Sequence, residues 1–182
     1  MWADGRKERL FSKLTDAEKK LVESFCNDMQ CESWERDSRL FSQIWFNAPV
    51  IKLAKSLTHG GGKSYAYYFT PEASLPIMKC GHSIEIAGIF NHTDITADTG
   101  RVFDETFSKT MRKMCVQFVK TGNPSLSAEI SPDGKEKVWE TYDLQNKPIM
   151  VLDKFNIHME NESALKIADR DKTYLLSKYY CL

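Results

Sequence analysis

The chain lacks any surplus of charge: 25 acidic and 25 basic groups leave a formal net charge of zero. No single-signed field therefore draws it to nucleic acid or to an anionic membrane surface. It also lacks a long apolar run, since no stretch approaches the ~18 residues expected of a membrane-spanning helix. The first residues, Met1-Trp2-Ala3-Asp4-Gly5-Arg6-Lys7-Glu8-Arg9, hold no apolar signal region. Secretion is not supported and a cytoplasmic location is expected, although a missing upstream part would take any signal with it. Cysteine is sparse. Cys26, Cys31, Cys80, Cys115 and Cys181 make an odd count with no Cys-x-x-Cys spacing. That argues against a zinc site and for reduced, mostly buried thiols. Two Asn-x-Ser/Thr sequons, at Asn91 and Asn161, read as chance in the absence of a secretory signal.

What is present suffices for a core. Of the 182 residues, 42% are apolar and 12% aromatic, enough for one domain of ordinary size. Residues 1–13 are charged and without period, so an irregular start is expected. Thr15-Asp16-Ala17-Glu18 forms a capping box. Ala17, Leu21, Val22, Phe25 and Cys26 then recur at helical spacing, giving a helix to about Met29. Asp37 is placed to cap a second helix with the stripe Leu40, Phe41, Ile44, Trp45 and Ala48. Pro49 should kink or interrupt it before the pattern resumes to about Leu57. The aromatic stripe reads as core.

Two motifs around Gly60–Gly62 are decoys. His59-Gly60-Gly61-Gly62 copies an oxyanion loop, but it follows a helix where an early strand is required. Gly62-Lys63-Ser64 copies the tail of a phosphate-binding loop, but Leu57 stands where its first glycine belongs. The glycines more simply stop the helix. Residues 64–69 read as a buried strand and 71–78 as a loop. His92 to Arg101 reads as loop. Phe103, Phe107, Met111, Met114, Cys115 and Phe118 mark the clearest helix, ended by Gly122 and Pro124. A loop over 125–137 carries a Pro132-Asp133-Gly134 turn. Ile149–Leu152 and Phe155–Met159 read as two short strands. Residues 164–181 read as a weakly docked terminal helix.

Chemistry concentrates in Lys79-Cys80-Gly81-His82-Ser83-Ile84-Glu85-Ile86-Ala87-Gly88-Ile89-Phe90. His82 stands at the end of a loop punctuated by Pro71 and Pro76, with apolar Ile84, Ile86, Ile89 and Phe90 around Glu85. A histidine held by buried neighbours keeps one orientation, as a general base requires. The ordinary reading, a satisfied histidine beside an apolar run, is the commoner one on periodicity alone.

Three segments in order change that balance. Gly81-His82-x-x-Glu85-Ile86-x-x-Ile89-Phe90 resembles the catalytic-histidine segment of type B carboxylesterases, the family of cholinesterases and para-nitrobenzyl-type esterases. Phe118-Val119-Lys120-Thr121-Gly122-Asn123-Pro124 is similar to its Phe-Ala-Lys-Thr-Gly-Asn-Pro signature. Tyr65-Ala66-Tyr67-Tyr68-Phe69 resembles its Tyr-x-Tyr-x-Phe strand. The family usually has glycine at the position of Ser83 and a bulkier residue at Gly88. The resemblance runs over roughly residues 14–159 and implies the C-terminal portion of an α/β-hydrolase fold, incomplete on its own: late strands of the central sheet with flanking helices, within a single carboxylesterase domain.

The resemblance also implies a Ser-His-acid triad in which His82 is the general base and acid. Glu85 corresponds to a buried supporting residue, too close in sequence to orient the imidazole. No Gly-x-Ser-x-Gly nucleophile motif occurs in the chain. The nucleophile, the triad acid and the oxyanion donors are therefore expected outside it, from a complementing N-terminal half. The expected substrate is a small carboxylic ester, with no metal or organic cofactor implied. The chain alone is expected to be inactive. A second reading is a non-catalytic cholinesterase-like binding or adhesion module. Ser64, Ser74 and Ser83 are poor substitutes for the missing nucleophile, because none sits in an elbow.

Overall fold

The computed structural model describes residues 5–27, 29–76, 78–92 and 105–165. The chain divides into two compact units, a helical one ending at Gly60 and a mixed one over Gly61–Ala164.

The helical unit opens on α1 (Arg6–Lys13), where an irregular start was expected. Eight residues form a marginal helix in isolation. Here tertiary burial decides: Leu10 is 1% exposed and packs with Leu14, Val22, Phe25, Leu40, Phe41 and Ile44. α2 (Asp16–Asn27) begins with the expected capping box. The Glu18 carboxylate accepts the Thr15 N–H at 2.9 Å and the Thr15 hydroxyl at 2.9 Å. The Glu18 N–H donates back to Thr15 Oγ1 at 3.3 Å.

α3 (Ser33–Ser42) starts four residues before Asp37, so Asp37 does not cap it. That carboxylate instead accepts the Lys7 ammonium of α1 at 2.6 Å, a partner no local pattern announces. α3 passes through a π-helical turn (Gln43–Asn47) into α4 (Ala48–His59). The Ala48 N–H reaches back five residues to the Gln43 carbonyl. Proline offers no N–H to the carbonyl four residues before it and crowds that carbonyl. The widened turn before Pro49 accommodates the ring, so the helix runs on past the expected break. Gly60 closes α4 with its N–H on the Ser56 carbonyl at 3.0 Å, and Gly61 takes a left-handed φ of 77°. The glycine run is a helix stop, as read.

The mixed unit is built on a three-stranded sheet in the order β1-β2-β3. β1 (Tyr67–Phe69) pairs in parallel with β2 (Pro148–Leu152), with Tyr67 opposite Met150. β2 pairs antiparallel with β3 (Ile157–Asn161), with Val151 opposite His158. All five residues of β2 are buried, as befits a central strand covered on both faces. The strand expected over 64–69 is shorter, but its lead-in is still bonded. Ser64 and Ala66 carbonyls accept the Tyr142 and Met150 N–H groups at 2.8 and 3.0 Å.

Among the described residues, two helices lie between the parallel strands in sequence, α5 (Ile84–Phe90) and α6 (Glu105–Thr121). α6 buries Phe107, Met111 and Met114 against Leu126, Trp139, Met150 and Leu152. Three residues of the expected stripe are thus buried, whereas Cys115 and Phe118 are exposed and Phe103 lies outside the described residues. Gly122, at φ 74°, ends it with an N–H on the Phe118 carbonyl at 2.7 Å. Trp139 is fixed by its indole N–H on the Ala66 carbonyl at 3.2 Å. The 125–137 loop is closed by paired bonds between Leu126 and Lys137 at 2.9 and 2.8 Å. The strand expected over 155–159 begins two residues later. Asp153 accepts the Phe155 N–H at 2.9 Å in a turn that consumes 153–156.

The thiols are less buried than expected. Cys26 and Cys31 are half-buried, and Cys80 and Cys115 are exposed. The expected loop over 93–101 and terminal helix over 166–181 lie outside the described residues.

Candidate active site

His82 lies between β1 and α5, at the end of a segment that starts with Thr70. The segment is tied to the sheet where it leaves. The Thr70 N–H donates to the Leu152 carbonyl at 3.2 Å, and the Thr70 hydroxyl donates to Asp153 Oδ2 at 2.8 Å. It is tied again just before the histidine, where the Cys80 thiol donates to the Phe69 carbonyl at 3.0 Å. The Ala73 N–H crosses to the Lys79 carbonyl at 2.8 Å.

The five residues around the histidine are conformationally demanding. Lys79 and Ser83 have φ of 46° and 69°, a region that side chains avoid. Gly81 has no room for more: a Cβ there would sit 3.0 Å from the Met78 carbonyl oxygen and 3.2 Å from Ile84 Cδ1. Ser83 thus holds a glycine-type conformation where the resembling family has glycine.

His82 itself is exposed. Beyond it, Ile84 is buried against Ala73. Glu85 is half-buried, and its Oε1 accepts the Tyr67 hydroxyl of β1 at 3.4 Å. Burial first, then the Glu85 charge and hydrogen bond, push the Tyr67 phenol up to about 12. Although Cys80 as a residue is exposed, partial desolvation of its sulfur, aided by the charges of Glu85 and Glu72, raises the thiol to about 11. Both groups therefore stay protonated as donors near neutrality. The Asp153 carboxyl lies below its ordinary value. Burial raises it, but the Phe155 N–H, the Thr70 hydroxyl and other donors outweigh that.

The far end of α5 is clamped by Arg112 of α6, whose Nη1 donates to the Gly88 carbonyl at 2.8 Å and to Asn91 Oδ1 at 3.3 Å. Tyr67, Glu85, Ile89, Met114, Cys115 and Trp139 help line a small crevice between these elements. Contrary to the expectation of buried neighbours, Phe90 is 70% exposed and Ile86 also reaches solvent. On a seven-residue helix, Ile84 and Ala87 occupy the packed face and Ile86 and Phe90 the opposite one.

His82 and Glu85 thus share one short helix and its lead-in. An exposed imidazole on a tied loop can exchange protons with a group presented to it. Among the described residues the Ser64 hydroxyl is buried without a hydrogen-bond partner, and that burial removes it as a nucleophile for a substrate from solvent. Sequence reasoning missed Thr70, Asp153 and Arg112 and treated Tyr67 as buried strand. Each acts on a partner 18 or more positions away. Only the Tyr-x-Tyr-x-Phe pattern offered a hint.

A model of the carboxylesterase family matches residues 4–168. Among solved structures, a PNB esterase aligns with TM-score 0.66 at 20% identity, covering 90% of this chain and 36% of its own. A carboxylesterase of Geobacillus stearothermophilus aligns with TM-score 0.67 at 16% identity, covering 92% and 34%. An esterase of Clostridium hathewayi, one that can hydrolyse aliphatic aromatic polyesters, aligns with TM-score 0.56 at 19% identity, covering 93% and 34%. The fold is thus part of an α/β-hydrolase architecture, and the chain spans about a third of the length of these enzymes.

Proposed function

We propose, from the premise that this chain belongs to the carboxylesterase family, that it supplies the catalytic histidine of an enzyme hydrolysing small carboxylic esters. The observation that carries the reading is the position of His82. It stands solvent-exposed at the end of a tied loop, at the N-terminal lip of α5. In the mechanism, neutral His82 takes the proton of a serine hydroxyl as that oxygen attacks the ester carbonyl. It returns the proton to the departing alcohol, and the cycle repeats with water on the acyl-enzyme. Glu85 has a supporting part: through Tyr67 it fixes the start of α5 to β1.

The serine, the orienting acid and the oxyanion donors come from a complementing N-terminal half. Two features support such a partner. Among the described residues β1 pairs on one side only, and an unpaired strand edge readily accepts another strand. Phe90 and Ile86 expose apolar surface on the same helix that follows His82.

The test is co-expression of the 182-residue chain with an esterase N-terminal half bearing Gly-x-Ser-x-Gly. A fluorophosphonate probe and a short-chain nitrophenyl ester provide the readouts. We expect label on the partner's serine, and turnover that falls by about 10⁴-fold or more in His82→Ala. Turnover that survives His82→Ala, or a label on a serine of this chain, overturns the reading. An assembled pair that neither labels nor turns over favours a binding module instead.

A further inference from the structure

We infer that Asp153 and Cys80 are positioning residues for His82, acting as two tethers that hold a strained turn against the C-terminal end of β1. This rests on the reading of His82 as the catalytic base.

The argument begins with the turn. Between Lys79 and Ser83 the backbone twice enters the left-handed region on residues that carry side chains. Such conformations persist only where surrounding contacts over-determine them. Gly81, squeezed between the Met78 carbonyl and Ile84, has no slack to absorb a displacement. His82 lies inside this turn, so whatever fixes the turn fixes the backbone from which the imidazole projects.

Two bonds do so from opposite ends. At the start, Asp153 accepts the Thr70 hydroxyl at 2.8 Å. Asp153 belongs to the β2–β3 turn and is itself oriented by the Phe155 N–H at 2.9 Å. The Thr70 N–H on Leu152 continues the β1–β2 ladder one step beyond the strand. At the finish, the Cys80 thiol reaches the Phe69 carbonyl at 3.0 Å, one residue before Thr70. The two anchor points are therefore adjacent residues of β1's end, and the intervening segment is closed on itself. An ionised acceptor makes the Asp153 bond the stronger, while a thiol is a weak donor. Asp153 sets the base of the loop, and Cys80 trims the last turn before the histidine.

A base displaced by about 1 Å costs on the order of 100-fold in rate, so loosening either tether should lower kcat and leave KM alone. The paired variants are Thr70→Val, which keeps shape but removes the donor, against Thr70→Ser, which keeps it. Cys80→Ala stands against Cys80→Ser in the same way. The first readout is amide hydrogen exchange of the 182-residue chain. The Ile84 and Ile86 N–H groups, bonded to the Gly81 and Ser83 carbonyls, should exchange faster in Thr70→Val and Cys80→Ala and return to normal in the serine variants. The second is kinetics of the assembled enzyme. There Thr70→Val should lose about 10- to 100-fold in kcat at unchanged KM, with Thr70→Ser close to the parent.

Unchanged exchange in both Thr70→Val and Cys80→Ala overturns the inference. So does unchanged kcat in those variants while His82→Ala is inactive. If His82→Ala retains full activity, the catalytic reading falls. The tethers are then upheld or rejected by the exchange result alone.

Discussion

A left-handed backbone costs a residue with a Cβ about 1–2 kcal/mol relative to glycine, and Ser83 holds φ 69°. Glycine there gives back some of that through the freedom of the unfolded chain. Ser83→Gly should therefore raise stability by about 0.5–1 kcal/mol, read as a higher urea midpoint at unchanged slope. Lys137 and Asp133 give a second expectation, in pH. Lys137 is only 6% exposed and places its ammonium 2.9 Å from Asp133 Oδ2. Burial raises the Asp133 carboxyl, but the Lys137 ammonium, the Ser131 hydroxyl and the Lys135 N–H outweigh it. The group falls from 3.8 to about 2. A carboxyl depressed in the folded state binds protons more tightly when unfolded. Its contribution is thus complete above 3.8 and lost as pH falls towards about 2. Acid titration of the unfolding free energy should show this limb, and Asp133→Asn should flatten it while lowering stability at neutral pH.

Among the elements, α1 depends on burial. Its eight residues have little helical stability of their own. Leu10, in contact with the α2 and α3 cluster, carries it. Leu10→Ala should cost about 2–5 kcal/mol, measured by denaturant unfolding. That dependence is also why α1 was illegible in a charged, aperiodic start. α2 was legible from its cap and period, and α6 from its period and its Gly122 stop, signals that each lie along one stretch of chain. Asp37 misled because a capping residue and a long-range ion-pair partner look alike in sequence. Its Lys7 lies 30 positions away. The site divides the same way. His82 and Glu85 stand in a contiguous motif and could be read. Tyr67–Glu85, Thr70–Asp153 and Arg112–Gly88 join separate elements, and no local pattern encodes which element will lie beside which. Ser83 was legible only as a departure from glycine; the left-handed φ explains why glycine suits the position.

At the scale of the whole molecule, the chain matches about a third of the solved esterases and carries large apolar side chains on its surface. Phe90, Val119 and Phe155 are the most exposed of them. The sheet also has an order-of-synthesis problem. β1 pairs with β2, and Tyr67 must meet Met150, more than 80 residues further along. β2 and β3 are joined by a short turn and form on the microsecond scale of hairpins. Among the described residues, β1 has no such local partner. On a ribosome adding about 5–20 residues per second, its Tyr-Tyr-Phe core waits roughly 4–17 s before the strand it pairs with has been made. Parallel pairing over so long a separation also places β1's docking among the slow steps of refolding in vitro. The strand from which His82 is hung is thus drawn into place late, and any catalytic geometry at that histidine is among the last things the chain acquires.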